Sequence, residues 1–380
     1  MSRVQAWKLA LKSLALLAAV AGLGWALLLF AYNHEQDDVN GPVAAKWCND
    51  DNGTACNNTV SWSLNPATGT NINASGGESV QTAIQNAFNS WKQAQLNGQS
   101  LVNLTIAQLP NNSLTGPNSG DCQNTIGFED STKSDFPTGT IAFTQIATSF
   151  GCTVAGPNCP VGSPPNTYTC PNSANPNTPH TCPLPSCIID ADIEFNPADQ
   201  FTTSATLGAS AYDVQAIATH EIGHLLGMDH SGLASAIMFA YGDTGGVAIR
   251  SLSLDDAIGM GALYPGSNYA TLTGTLSGQV TLSGAGVFAA HVVVIDAATG
   301  NAVTDGLTDT SGNYQIAGVP PGSYNVLALP LAGIYTLSNF SGWACGFGDN
   351  VPPCCDPTSD PSCNKSGALK PHTNYSGKFY

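Results

Sequence analysis

The sequence predicts an α+β domain followed by a smaller all-β domain, and three observations support this prediction. Residues 60–64 alternate between apolar and polar side chains, which is typical of a half-buried strand. Between residues 80 and 91 the apolar side chains recur at helical spacing, which predicts an amphipathic helix. Beyond residue 270 the chain contains alternating runs separated by glycine and proline, the residues that tight turns require.

The elements of the first domain follow in the order strand, helix, several strands and a second helix, which is typical of an α+β domain. Further strands are predicted at residues 102–106, 125–128, 140–146 and 188–195. A second helix is predicted to start near Ser210, because Ser210 and Asp213 have the spacing of a capping box. Its buried side is expected to consist of Val214, Ile217, Ala218 and Leu225.

Residues 150–187 differ in composition from the rest of this domain. They are rich in proline, asparagine, threonine and cysteine, which predicts an irregular surface insertion held by disulfides. His180 lies in this stretch without a second ligand at metal-binding spacing. We therefore interpret His180 as a loop residue and not as a metal ligand.

The chain is acidic, with 10 Lys and Arg against 26 Asp and Glu and a formal net charge of -16. This balance argues against nucleic acid as a partner, because a phosphate backbone is bound by clustered basic residues. Acidity is compatible with solubility outside the cell. It does not define a substrate.

The N-terminal segment, residues 1–33, predicts export. Arg3, Lys8 and Lys12 precede a stretch without charged residues from position 14 to position 32, as in signal sequences that keep their basic side in the cytoplasm. The stretch is longer than the usual signal-peptide core and approaches the roughly 20 residues that span a bilayer. Both a cleaved signal peptide and an uncleaved transmembrane anchor remain compatible with it.

Twelve cysteines support export independently. An even number in an exported chain indicates disulfide bonds, and none of these cysteines forms a CxxC pair at zinc-ribbon spacing. Their pairing cannot be read from the sequence, although Cys48 with Cys56 would close a short loop.

One short segment carries the candidate metal site. His220 and His224 stand four residues apart within the second predicted helix, so both imidazoles face the same point. Glu221 follows the first histidine, where its carboxylate can reach a water at the metal without binding the metal itself. Gly227 can adopt the left-handed conformation that ends a helix, which would bring His230 back to the same point. Three imidazoles and a water form the open tetrahedral site of a catalytic zinc.

This segment resembles the metzincin signature HExxHxxGxxH, and Ser231 after the third histidine resembles the matrixin branch, the family of matrix metalloproteases. Residues 236–238 resemble the Met-turn of that family, which places Met238 beneath the ligands by analogy. Residues 254–264 resemble the closing helix. The resemblance covers residues 46–265 and implies a twisted mixed sheet with two main helices and a closing helix.

The sequence departs from the matrixin pattern at three places. Ala240 stands where matrixins usually carry proline, which puts the shape of the S1′ wall in question. The insertion at 150–187 replaces the region where animal matrixins bind structural zinc and calcium. No ligand set for Ca²⁺ is identified, so only the catalytic Zn²⁺ is carried over. The chain also shows no cysteine-switch motif.

The remaining parts of the chain are predicted as follows. Residues 34–45 are a linker, and residues 265–268 are a second linker. Residues 271–335 resemble a carboxypeptidase-regulatory-like module, which is a small transthyretin-like β-sandwich. The resemblance rests on the sequence at 308–316 and on the Pro-Pro-Gly that follows it. Such a module would be a spacer or a contact with a surface or matrix. Residues 336–380 are predicted to form a cysteine-rich tail.

The function implied is an extracellular zinc metalloendopeptidase that hydrolyses peptide bonds of proteins with a zinc-activated water. Its metal ligands would be His220, His224 and His230, with Glu221 as the catalytic general base. The protein would be secreted, or tethered to the outer side of the membrane by residues 1–33. A processor of one dedicated partner is an alternative within enzymes. A catalytically inert surface or adhesion protein is the alternative outside them.

Overall fold

In the computed structural model, the structure describes the following residues: 36–37, 43–48, 58–67, 71–114, 121–128, 136, 139–150, 167–169, 179–181, 186–205, 210–245, 250–309, 311–331 and 378–379. The predicted signal or anchor at 1–33 and most of the predicted tail at 336–380 lie outside these ranges. No helix within them is long and apolar enough to cross a membrane.

The described part of the chain contains four helices and two groups of strands. The helices are α1 (Val80–Lys92), α2 (Val214–Leu225), α3 (Leu254–Leu263) and α4 (Tyr269–Leu272). The strands of the first group are β1 (Gln36–Asp37), β2 (Val43–Ala44), β3 (Lys46–Trp47), β4 (Thr59–Leu64), β5 (Ile72–Asn73), β6 (Gln95–Leu96), β7 (Gln99–Ser100), β8 (Thr105–Gln108), β9 (Thr125–Phe128), β10 (Ala142–Phe150), β11 (Thr167–Thr169), β12 (Pro179–Thr181), β13 (Ser186–Phe195), β14 (Phe201–Thr202) and β15 (Tyr212–Asp213).

A twisted mixed sheet organises the first domain. Its strand order is β10-β13-β9-β4-β8, with β3 pairing beside the start of β13. All these pairings are parallel except that of β10, which runs antiparallel to β13 along the edge of the sheet. The predicted α+β class agrees with this arrangement of helices and mixed sheet. The edge position of β10 matters because its first residues border the cavity that contains the three predicted ligands.

Helices α1 and α2 pack against each other beneath the sheet. The buried face of α1 is Ala83, Ile84, Ala87, Phe88 and Trp91, which includes the apolar positions expected from the sequence. Phe88 stacks on Trp62 of β4 with ring centroids 4.6 Å apart. The Trp91 indole N–H donates to the Thr219 carbonyl of α2 at 2.8 Å, so a buried polar group fixes one helix on the other.

Two predicted elements begin later in the structure than the sequence indicated. Helix α2 begins at Val214, not near Ser210, because the Asp213 carboxylate accepts the Ala216 amide at 2.8 Å and thereby forms the N-cap. Arg250 also donates to both oxygens of Asp213, which fixes the cap. The strand predicted at 102–106 begins only at Thr105, since Val102 forms an isolated bridge with Pro265.

The segments predicted to be irregular contain short pairings. Strands β11 and β12 form an antiparallel pair inside the insertion predicted at 150–187. Strands β1 and β2 pair within the linker predicted at 34–45. Cys48, Cys122 and Cys187 are disulfide-bonded in the structure. Cys56 lies outside the described residues, so its pairing with Cys48 stays a prediction.

The C-terminal β region, residues 274–331, contains two facing sheets and a shared core. Its strands, with one from the tail, are β16 (Gly274–Gln279), β17 (Thr281–Leu282), β18 (Ala285–Gly286), β19 (Ala290–Asp296), β20 (Ala302–Leu307), β21 (Asn313–Val319), β22 (Tyr324–Pro330) and β23 (Lys378–Phe379). The sheet β20-β19-β22-β23 faces the pair β16-β21. Between them lies a core of Val280, Val287, Ala290, Val292, Val294, Ile316, Val319 and Ala328. The resemblance to a carboxypeptidase-regulatory-like module stays a prediction.

The end of α2 is capped by two residues that are distant in sequence. The last carbonyls of a helix lack partners within the helix, so buried ones need donors from elsewhere. The Trp47 indole N–H donates to the Leu225 carbonyl at 2.7 Å, and the Tyr264 hydroxyl donates to the Leu226 carbonyl at 2.8 Å. The same hydroxyl accepts the Trp47 amide at 3.0 Å. One tyrosine therefore joins β3, the end of α2 and the end of α3.

Replacing Tyr264 with Phe should lower the free energy of unfolding by about 1–3 kcal/mol, because a buried carbonyl and a buried amide lose their partner while the ring volume is retained. Chemical denaturation of the full chain measures this. Tyr241→Phe is the matched control, since Tyr241 is 50% exposed. Equal stability of the Tyr264→Phe protein and the wild type would refute this account of the helix cap.

Candidate metal centre

The structure brings the three predicted ligands together. One possible ligand atom from each of His220, His224 and His230 lies within 4.8 Å of the other two. The Nε2 atoms of His220 and His224 are 3.1 Å apart. Among the described residues, these histidines form the one cluster of His, Cys, Asp or Glu side chains arranged for a metal ion. The site residues predicted from the sequence therefore converge on one point.

Hydrogen bonds on the far side of the rings define which nitrogens face that point. His220 Nδ1 lies 2.7 Å from the Ile237 carbonyl, and His224 Nδ1 lies 2.8 Å from the Met228 carbonyl. A carbonyl oxygen can only accept, so both Nδ1 atoms carry the hydrogen and both Nε2 atoms present lone pairs. Two lone pairs at 3.1 Å repel each other unless a cation lies between them. The donor set therefore fits a metal ion.

Burial keeps the first ligand in its neutral, metal-binding form. Burial, reinforced by the neighbouring His224, lowers the pKa of His220 to about 3, while the bond to the Ile237 carbonyl acts weakly in the opposite direction. Neutral imidazole is the form that binds metals. At neutral pH, therefore, no proton competes at His220 for the lone pair.

The chain reverses direction directly after α2, which allows His230 to join the other ligands. Gly227 has φ +96°, in the left-handed region that glycine adopts without strain. The Met228 amide donates to the Gly223 carbonyl at 2.9 Å and the Gly227 amide donates to the His224 carbonyl at 2.7 Å, the two bonds of a Schellman motif. A Cβ at Gly227 would clash with the Ala45 carbonyl. The glycine predicted to end the helix is thus required for both its φ and its packing.

Glu221 lies beside the ligands with its carboxylate held by an edge-strand residue. It is buried, and its Oε2 accepts the Thr144 hydroxyl of β10 at 2.7 Å. Burial raises the pKa of Glu221, while His224 and the Thr144 hydroxyl both act to lower it. The carboxylate is thus buried and fixed next to the three histidines. This is the placement required of a general base.

Met238 lies beneath helix α2, which carries His220 and His224, as the resemblance implied. Its side chain is fully buried, and a Cβ on Gly223 of α2 would overlap the Met238 sulfur. Glycine between the two helical histidines therefore permits the turn containing Met238 to approach the helix closely. The Asp256 carboxylate holds that turn by accepting the Ile237 amide at 2.8 Å and the Met238 amide at 3.1 Å.

A second acidic residue of α3 holds the segment that follows the third ligand. Asp255 Oδ2 accepts the Ser231 hydroxyl at 2.7 Å, and that hydroxyl accepts the Leu233 amide at 3.1 Å. The Ser231 amide also donates to the Met238 carbonyl at 2.8 Å, which closes the loop on itself. His230, just before Ser231, is fixed further by its own amide, which donates to the buried carboxylate of Asp229 at 2.7 Å.

A cavity of about 370 Å³ opens at the three histidines. One wall is formed by residues 139–144, which include the start of β10, and the other is formed by α2 and by residues of the segment 230–242. The apolar residues that line the cavity are Ile141, Ala142, Phe143, Ala216, Ile217, Ala234, Ala236, Ile237, Phe239, Ala240 and Tyr241. Ala240, the departure noted in the sequence, belongs to this wall.

The sequence predicted the three histidines and the glutamate that the structure brings together, but it did not predict the residues that hold them. Asp255 and Asp256 were interpreted only as part of the closing helix. The spacing of Ser253 and Asp256 is that of a capping box, which the structure contains, but it gave no sign of the contacts to the Met238 turn. Thr144 carried no signal at all, because its contact to Glu221 joins residues 77 positions apart.

Comparison with known proteins agrees with this geometry. Residues 179–265 match the model of the matrixin family. A segment of 59 residues is 42% identical to Karilysin from Tannerella forsythia. That alignment covers 16% of this chain and 12% of Karilysin, so the chain matches only a small part of that relative. The segment that carries the three histidines is therefore similar to the matrixin family of metallopeptidases.

Proposed function

We propose that this protein is a zinc-dependent metalloendopeptidase that cleaves extracellular proteins or peptides. The observation that carries the proposal is the convergence of three imidazoles, two of them with inward lone pairs, on a point beside the buried carboxylate of Glu221. Three nitrogen ligands with an open fourth position are typical of catalytic zinc. His220, His224 and His230 would hold the ion.

Zinc in this site would supply Lewis-acid activation of a water and polarisation of the scissile carbonyl. Glu221 would accept the proton of the attacking water and return it to the leaving amine nitrogen. The Thr144 hydroxyl would hold Oε2 of Glu221, so that the carboxylate presents its other oxygen to the water. The surrounding apolar wall would exclude bulk solvent from this proton transfer.

We propose that the substrate binds in an extended conformation along β10. Within the described residues β10 pairs on one side with β13. Residues 139–144, which lead into the beginning of β10 at Ala142, border the cavity. An extended peptide could therefore add to this edge through main-chain hydrogen bonds, a mode that selects unfolded or loop segments. It favours cleavage within a chain over removal of a terminal residue.

The wall of the cavity favours an apolar substrate side chain next to the scissile bond. Ile141, Ile217 and Ile237 line the same cavity as His220. Phe239 and Tyr241 also line it, with ring centroids 5.8 Å apart. Burial of an apolar side chain here would contribute roughly 1.5–3 kcal/mol to binding. Ala240 leaves more room than proline would at this wall.

The rival proposal is an inert surface-binding protein on the same scaffold. In such a protein nothing would maintain the orientation of Glu221, whereas here a hydroxyl from another element holds its carboxylate. This contact favours the enzyme. We place the activity outside the cell on the basis of the export segment predicted at residues 1–33, which also leaves the choice between secretion and membrane tethering.

The wild-type protein should bind zinc at a stoichiometry near one per chain, and His224→Ala should lose most of this binding. Zinc at 100 times its Kd should stabilise the wild type by about 2.7 kcal/mol, since only the folded chain presents the site. Metal analysis and thermal unfolding with and without zinc measure both effects. His180→Ala is the control and should bind like the wild type. Equal zinc binding by His224→Ala would place the metal elsewhere.

Glu221→Gln should retain zinc and lose peptidase activity by about 10²- to 10⁴-fold, because the amide keeps the side-chain shape but cannot accept the proton. Chelator-sensitive cleavage of unfolded casein, assayed beside metal content, measures this. Activity of the variant close to that of the wild type would remove Glu221 from the proposed role. A zinc-loaded wild type without any cleavage would support the binding-protein rival or a processor of one dedicated partner.

Thr144→Val should keep its zinc and lower kcat/KM by about ten- to a hundredfold, the equivalent of one hydrogen bond to a charged group. The methyl group replaces the hydroxyl at constant volume, so the edge strand should stay in place. Thr144→Ser retains the hydroxyl and should restore most of the activity. Peptide hydrolysis by the three proteins tests this, and a fully active Thr144→Val would show that the contact is incidental.

A further inference from the structure

The four-stranded sheet of the C-terminal β region, β20-β19-β22-β23, has apolar residues buried on both of its faces. In β19 the side chains of Val292 and Val294 enter the core of the region itself. Val293, on the opposite face, packs instead against Leu233 and Ala236, which lie in the loop after the third histidine. An uninterrupted apolar run is typical of a strand covered on both sides. The second cover of β19 is thus the loop of the metal centre.

Neighbouring strands extend this second face. Val293 pairs across the sheet with Asp305 of β20 and Leu327 of β22, so these three side chains point the same way. Leu327 packs against the same apolar cluster as Leu233, as do Ile295 and Leu329. We call this surface the outer face and define it by His291, Val293, Ile295, Asp305, Leu327 and Leu329.

A buried polar cluster joins the outer face to the metal-centre loop. His291 Nε2 lies 2.5 Å from Asp305 Oδ2, and both residues are buried. A Cβ on Gly232 would clash with both of these side chains, so the pair rests directly on the backbone two residues after His230. A buried pair of this kind costs desolvation and is tolerated only in a well-defined geometry.

The same cluster reaches the carboxylate that holds Ser231. Burial, followed by the negative charges of Asp305 and Asp256, raises the pKa of Asp255 well above its usual range. The Thr304 hydroxyl of β20 and the Ser231 hydroxyl both act on that carboxyl group in the opposite direction. Asp255 thus lies close to Asp305 of the outer face and also accepts the Ser231 hydroxyl.

Apolar packing fixes the region on α3 as well. Gly318 of β21 lies so close to Ile258 that a Cβ there would overlap its side chain. Val303 of β20 belongs to the main core of the first domain. An apolar interface restricts the relative motion of two domains, whereas a freely tethered spacer would move relative to the domain it follows.

We propose that the C-terminal β region is a positioning element of the metal centre, whose outer face holds residues 231–236 and thereby fixes His230 as the third ligand. This inference rests on the metal site of the proposed function. Asp305 and Leu327 are its positioning residues, one for the polar contact and one for the apolar contact. Neither touches substrate or the reacting atoms.

Two variants and two matched controls test this positioning role in the full chain. Asp305→Asn alters the polar cluster, and Asp309→Asn makes the same change in a turn of the C-terminal β region where Asp309 caps the Ser311 and Asn313 amides. Leu327→Ala removes outer-face packing, and Val326→Ala removes packing from the opposite face of the same strand. Each control perturbs the region without touching the loop.

The first readout is hydrogen–deuterium exchange of the metal-free proteins. Peptides covering residues 231–237 should exchange faster in Asp305→Asn and Leu327→Ala than in the wild type, and at the wild-type rate in both controls. The second readout is metal binding. Zinc affinity, measured by competition with a chromogenic chelator, should fall about 10- to 100-fold in the two outer-face variants, as for other residues that orient metal ligands. Their Co²⁺-loaded forms should show a changed visible spectrum.

The outcomes separate this inference from the proposed function. Faster exchange at 231–237 together with weaker metal binding, confined to Asp305→Asn and Leu327→Ala, supports it. Unchanged exchange or unchanged zinc affinity in these variants overturns it, as does an equal effect in Asp309→Asn and Val326→Ala. If Asp305→Asn does not fold, Leu327→Ala against Val326→Ala decides. A wild type that binds no zinc refutes the proposed function, and exchange alone then decides whether the region holds the loop.

Discussion

The reversal of the chain directly after helix α2 is the constraint on which the rest of the candidate metal centre depends. Two of the ligands lie on the helix, and the third lies six residues beyond the second, so the chain must reverse within one turn. Gly227 supplies the left-handed residue, but the reversal also leaves helix carbonyls buried. Trp47 and Tyr264, which lie before and after the helix in sequence, donate to these carbonyls. The ligand geometry is therefore a property of the folded domain and not of the motif alone.

Buried carboxylates fix the loop that follows the three histidines. Asp256 holds the Met238 turn and Asp255 holds Ser231, so two adjacent residues of α3 fix both ends of the loop that contains the floor of the site. Such groups are costly to bury unless their hydrogen bonds are satisfied, and for Asp256 the amides of Ile237, Met238 and Ser253 and the Ser253 hydroxyl meet this need. Thr144 does the same for Glu221 from the sheet side. The site is thereby supported from helix, sheet and loop.

The sequence was sufficient to predict those parts of the candidate site that depend on local interactions. Helical spacing placed His220 and His224 on one face, and the glycine requirement at position 227 follows from the reversal that the third histidine needs. The sequence did not predict contacts between residues that are distant in the chain, such as the contact of Thr144 with Glu221. The start of α2 was misplaced because Asp213, not Ser210, finds an amide to cap and an arginine to pair with. The continuous apolar run of β19 contained a sign of two-sided burial, but the partner surface lies more than fifty residues earlier in the chain.

X-ray absorption at the zinc edge of the loaded full-length protein tests the central claim most directly. Three imidazole nitrogens and one oxygen at about 2.0–2.1 Å are expected, because His220, His224 and His230 leave one position open. His230→Ala should lower the number of imidazole scatterers by one without introducing another protein ligand. Sulfur scatterers near 2.3 Å, or an unchanged spectrum in His230→Ala, would contradict the account and assign the metal to a different part of the chain.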